Sequence, residues 1–148
     1  MLHQWRRVEA AHAAYREPIR ATFCQIASSL FYEGIEKFDA AQYDAALECF
    51  EQALAINQKY LTTSASGCIL CCNNIAAVHD RLGNLGQATA FYERAKQGLT
   101  SPRLPKEERS LVARRRRAEL LKHVVLKLER MPRTSEPKVG HGVDATAD

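Results

Sequence analysis

A chain of 148 residues, 46% hydrophobic and 26% charged, has the length of one ordinary domain and enough apolar material for a core, which excludes a compositionally disordered chain. Its 7 Gly and 5 Pro are too few, and too often at segment ends, for a turn-rich β fold, and long helices are expected instead. The net charge of +4 is unevenly spread: residues 1–100 hold nine Lys and Arg against ten Asp and Glu, and residues 101–138 hold twelve against five.

No apolar run approaches the ~18–20 residues that span a bilayer, so no membrane partner is expected. Met1-Leu2-His3-Gln4-Trp5-Arg6-Arg7 is not followed by the apolar stretch of a secretory signal. The 5 Cys are then expected as free thiols in a reducing compartment, by default the cytoplasm. Arg6, Arg7, Arg16 and Arg20 in a helix-prone stretch leave a mitochondrial presequence open, and a four-arginine run further on leaves nuclear import open.

In chain order, residues 1–26 are predicted as an N-terminal capping region. Its helix covers 3–16, with Trp5, Val8, Ala11 or His12, and Tyr15 on one side. It is expected to end at Glu17-Pro18, because proline disfavours a helical predecessor.

The next seventy residues repeat themselves. Gly34 and Ala76, Tyr43 and Leu85, Ala46 and Ala88, Phe50 and Tyr92, Ala53 and Ala95 all stand forty-two apart. Each unit, 27–60 and 61–100, reads as two helices joined by a short turn: Phe31, Ile35 and Phe38 make one face, and Ala46, Leu47, Phe50, Ala53 and Leu54 keep helical rhythm. Small residues at 34/76, 46/88 and 53/95 allow two helices to cross closely, and a ring at 50/92 fills the space beside the crossing. Gly83-Asn-Leu-Gly86 is read as the turn of the second unit.

These positions resemble the tetratricopeptide repeat, in the long forty-two-residue form of kinesin light chains. The resemblance covers about residues 27–99; His79 departs from it, standing where the family usually carries an aromatic residue. It implies an all-α fold of two helical-hairpin repeats flanked by N- and C-terminal capping helices. It also implies a concave groove lined by the first helix of each unit. Those positions are Ser28, Phe31, Tyr32, Ile35, Phe38 and Asp39, then Leu70, Asn73, Asn74, Ala77, Asp80 and Arg81. An Asn like Asn74 often bonds a bound peptide's backbone in this family. Phe31 and Ile35 occupy the places of the carboxylate clamp of chaperone-binding members, so a chaperone-tail receptor is disfavoured.

Residues 106–130 are predicted as a basic C-terminal helix, with Glu107 and Glu108 in its first turn and Lys127 and Arg130 in its last. Leu111, Ala118, Leu121, Val125 and Leu128 form its apolar stripe. A further shift of forty-two puts Ala118 at the small position, so this helix takes the slot of a third first helix and brings Arg115, Arg116 and Lys122 to the groove. Arg114 is the member of Arg114-Arg-Arg-Arg117 expected to graze the stripe. Residues 131–148 are expected to be a disordered tail.

Little else carries chemistry. Cys68, Cys71 and Cys72 share one helical side with His79 two turns on. Three ligands crowded on one rigid helix suit tetrahedral zinc poorly, so they are read as core, with no metal and no cofactor. The remaining His and Ser show no catalytic pattern, and an enzyme is not expected. Residues 101–148 contain no aromatic residue for base stacking. The expected function is therefore a non-catalytic adaptor or scaffold that binds a protein or peptide partner with acidic and apolar residues. The alternative is an RNA-associated subunit of a larger particle, held by the basic helix. Two repeats leave open ends, so a dimer stays open.

Overall fold

The computed structural model describes residues 2–61, 65–102 and 109–132. It consists of five helices: α1 (Leu2–Asp39), α2 (Tyr43–Tyr60), α3 (Ala65–Arg81), α4 (Leu85–Thr100) and α5 (Leu111–Arg130). No strand occurs among the described residues. α1 packs on α2 and α3 on α4 as two hairpins; α2 joins them through α3, and α5 packs on α4.

The two hairpin turns repeat each other bond for bond. Gln42 N–H donates to the Lys37 carbonyl, and forty-two residues on Asn84 N–H donates to the His79 carbonyl, both at 2.8 Å. Each turn needs one residue in the left-handed region so that these bonds can satisfy the last carbonyls of the preceding helix. Gly83 fills that role at φ +76°, whereas Ala41 fills it at φ +58°, where a Cβ is unfavourable.

One core runs through both hairpins. Ala46, Phe50, Ala53, Ile75, Ala76, Val78, Ala88, Tyr92 and Ala95 are all buried. Ala76 and Gly34 stand at equivalent crossings, yet only glycine fits the first, because a Cβ on Gly34 would lie 2.7 Å from the Phe50 ring. Cys71 and Cys72 belong to this core, which is the place expected for Cys72. Burial pushes the Cys71 thiol up to about 12 and raises that of Cys72. His79 is buried and stacks on Phe91 at 5.9 Å, taking the packing role of the family's aromatic residue.

Two predicted boundaries change. The helix expected to stop at Glu17 runs on through Pro18 as part of α1, so no separate capping helix forms. Proline removes one backbone donor, but the described side chains of residues 10–22 are exposed, and water can bond the carbonyl left open. At about 1.5 Å per residue, the 38 residues of α1 extend far beyond the 18 of α2. Phe23 ties them together, its ring stacking on Tyr60 at 3.8 Å. At the other end, α5 begins at Leu111 rather than 106. Ser110 caps it, its hydroxyl accepting from Ala113 N–H at 3.1 Å. Glu107, Glu108 and the tail from 133 lie outside the described residues.

Substitution Ala41→Gly removes the strained Cβ and is expected to raise stability by about 0.5–1 kcal/mol. Gly34→Val is expected to cost about 1–3 kcal/mol by forcing Phe50 out of place. Urea unfolding of the two variants checks both signs.

Candidate partner-binding groove

Four of the predicted groove residues, two from each unit, line one pocket. Ile35 and Phe38 of α1 meet Asn74 and Ala77 of α3 around a pocket of about 200 Å³ floored by Phe50. The Arg81 guanidinium lies over the Phe38 ring, 5.8 Å from its centre, and the other side of that ring meets Tyr43 edge-on at 5.5 Å. The lip of the pocket is thus cationic and aromatic.

Phe31 is half-buried against Phe50, 5.7 Å away. It contributes to a second pocket, of about 210 Å³, with Ala27, Ser28, Tyr32, Asn57, Leu70 and Cys71. Tyr32 and Leu70, both at groove positions of the repeat pattern, are exposed.

Between the two pockets stands a pair of amides. Asn73 donates through its Nδ2 to Asn74 Oδ1 at 3.3 Å, while Asn73 Oδ1 is buried without a hydrogen-bond partner. A buried acceptor left open costs about 1–3 kcal/mol.

The third slot is filled, but in a different register. Asn57 and Cys71, joined across α2 and α3, are 14 residues apart. The equivalent contact across α4 and α5 joins Leu99 and Arg117, 18 residues apart. The same four-residue difference separates the Phe38–Arg81 contact from the Asp80–Lys127 ion pair, whose members are 47 apart and 3.1 Å from each other. Val124, the one wholly buried residue of α5, then matches Val78, which is equally buried. The longer connection before α5 therefore shifts it by one helical turn.

This shift corrects several expectations. Ala118 is exposed rather than at a close crossing, and Leu111 is 83% exposed. Arg115, Arg116 and Lys122 are exposed, and Lys122 pairs with Glu119 at 3.4 Å. Asp80 is tied to Lys127 rather than open to a partner.

The arginine that meets the body is Arg117, not Arg114. Its Nε donates to the Leu99 carbonyl at 2.8 Å, and its Nη2 donates to the Gly98 carbonyl. Those carbonyls end α4, whose last turn contains no basic residue of its own. A cation at this negative helix end is favourable, and the guanidinium fork suits two neighbouring acceptors. Arg114, Arg115 and Arg116 are exposed and pair with no acid among the described residues.

The sequence model of the tetratricopeptide repeat matches residues 26–101. The chain therefore belongs to the tetratricopeptide-repeat family, whose repeats are protein-interaction scaffolds rather than catalytic domains. Comparison with curated proteins and with solved structures returned no match. None of the described helices is long and apolar enough to cross a membrane.

Loss of Arg117 is expected to lower stability by about 1–2 kcal/mol in Arg117→Ala. Arg117→Lys recovers only part of that, since an ammonium lacks the fork. Alanine at Arg114, Arg115 or Arg116 changes stability by less than about 0.5 kcal/mol. Chemical denaturation of the five single variants orders them.

Proposed function

We propose that the chain is a non-catalytic adaptor that holds a segment of a partner protein in the groove between α1 and α3. The observation that carries this reading is the pocket formed by Ile35, Phe38, Asn74 and Ala77. Four of the residues that the repeat pattern assigns to the groove meet there, from two units and at one site. Apolar walls provide the anchor, the amides provide orientation, and Arg81, stacked over Phe38, favours an acidic neighbour. Small sites of this kind derive most affinity from one or two buried anchors.

The exposed Arg114, Arg115 and Arg116 support a second reading as a phosphate-contacting surface of an RNA-associated subunit. The two readings separate in one capture experiment on the full chain, analysed by mass spectrometry with and without nuclease. Ala77→Trp fills the pocket and is expected to remove the captured partners, whereas charge reversal at 114–116 leaves them in place. Nuclease-sensitive capture that survives Ala77→Trp and disappears on charge reversal would overturn the adaptor reading in favour of the second. Capture unaffected by Ala77→Trp, with the circular-dichroism spectrum intact, would overturn it as well.

A further inference from the structure

The chain has 5 prolines, and Ser101 is the only hydroxyl-bearing residue that directly precedes one. The Ser101–Pro102 pair opens the connection from α4 to α5 and lines neither groove pocket. Proline holds its predecessor extended, and Ser101 is so held, at φ −58° and ψ 132°. Its neighbour Thr100 has its hydroxyl bonded to the Lys96 carbonyl at 2.9 Å. The Ser101 hydroxyl makes no hydrogen bond among the described residues. Ser101 is partly exposed, and Pro102 beside it is exposed.

What surrounds this hydroxyl is a place for a phosphate. Ser101 N–H donates to the Gly98 carbonyl at 3.4 Å, and Arg117 Nη2 donates to the same oxygen. Two donors that share one acceptor stand within about 6 Å of each other, a distance that a phosphoserine side chain spans. Arg114 lies one turn nearer the start of α5, on the same side of the helix as Arg117, and is exposed. A phosphate carries nearly two negative charges and binds a guanidinium fork more strongly than a neutral carbonyl does. On Ser101 it would also stand at the negative end of α4, where an anion needs a cationic partner.

We infer that Ser101 is the acceptor of a proline-directed protein kinase, and that its phosphate draws Arg117 away from the carbonyls that end α4. In the transfer, Ser101 Oγ bonds to the γ-phosphorus of ATP as the bond from that phosphorus to the β–γ bridging oxygen breaks. ADP leaves, and the hydroxyl proton passes to the base of the kinase. The modification unties the last turn of α4 from α5. It does not depend on the groove reading above.

Two experiments on the full chain test the two halves of the inference. Incubation with a panel of proline-directed kinases and ATP, read by mass spectrometry, is expected to place phosphate at Ser101 and to place none in Ser101→Ala. A chain left unmodified at Ser101 would overturn the assignment. For the second half, phosphoserine is encoded at position 101 and followed by phosphorus NMR. Its resonance is expected to titrate at a pH about 0.5 or more below that of the same phosphoserine in a peptide of residues 97–105, and Arg117→Ala removes the difference. Hydrogen exchange in the last turn of α4 is expected to rise about threefold or more with the phosphate, and to show no such rise in Arg117→Ala. Arg117→Gln repeats both measurements if the alanine variant does not fold. A titration equal to that of the peptide, one that loss of Arg117 leaves unchanged, or exchange that the phosphate does not alter would overturn the part assigned to Arg117.

Discussion

Where α1 crosses α2, the missing side chain of Gly34 gives the Phe50 ring its place; where α3 crosses α4, Ala76 and Tyr92 meet at the equivalent positions, both wholly buried. This close approach is the constraint on which the rest depends. The pocket of Ile35, Phe38, Asn74 and Ala77 is floored by the same Phe50 ring. The ring that holds the hairpin closed thus also forms the base of the candidate site. A change that loosens the crossing would alter the pocket before it unfolded the chain.

The second repeat is covered on both sides, and α3 accordingly buries residues all along one broad arc, from Ile69 to His79. α5 packs on α4. Its single wholly buried residue is Val124, and Arg115, Ala118 and Lys122 are exposed. At the opposite end α1 continues past the hairpin as an exposed helix, with Tyr15 75% and Ile19 57% exposed.

Much of this was legible in the sequence because a repeat is read twice. The turn, the crossing and the ring each appear at 34–53 and again at 76–95, so local ambiguity in one copy is resolved by the other. The groove residues of α1 and α3 followed from the same period, and Ile35, Phe38, Asn74 and Ala77 do meet. What the period could not carry was the third slot. The connection from α4 to α5 is longer, and the register of a packed helix is set by which side chains interlock, not by counting from the last copy. With that slip Arg117, rather than Arg114, is the arginine that meets the body. Pro18 was misleading for a related reason: its helix-breaking effect depends on what surrounds the open carbonyl, and an exposed helix surrounds it with water.

The charge asymmetry of the sequence takes on a different meaning in this frame. Within α5, Arg117 is held by the carbonyls that end α4, and Lys127 is held by Asp80. Both are cations that fix the helix to the body, and both lie on the side of α5 that faces it. Arg114, Arg115 and Arg116 remain in water. A surface charge of that kind adds little to stability and falls off with salt, so it can steer an acidic partner without anchoring it. In the proposed adaptor the anchoring would come from the apolar pocket of Ile35, Phe38, Asn74 and Ala77, where burial depends far less on salt than surface charge does.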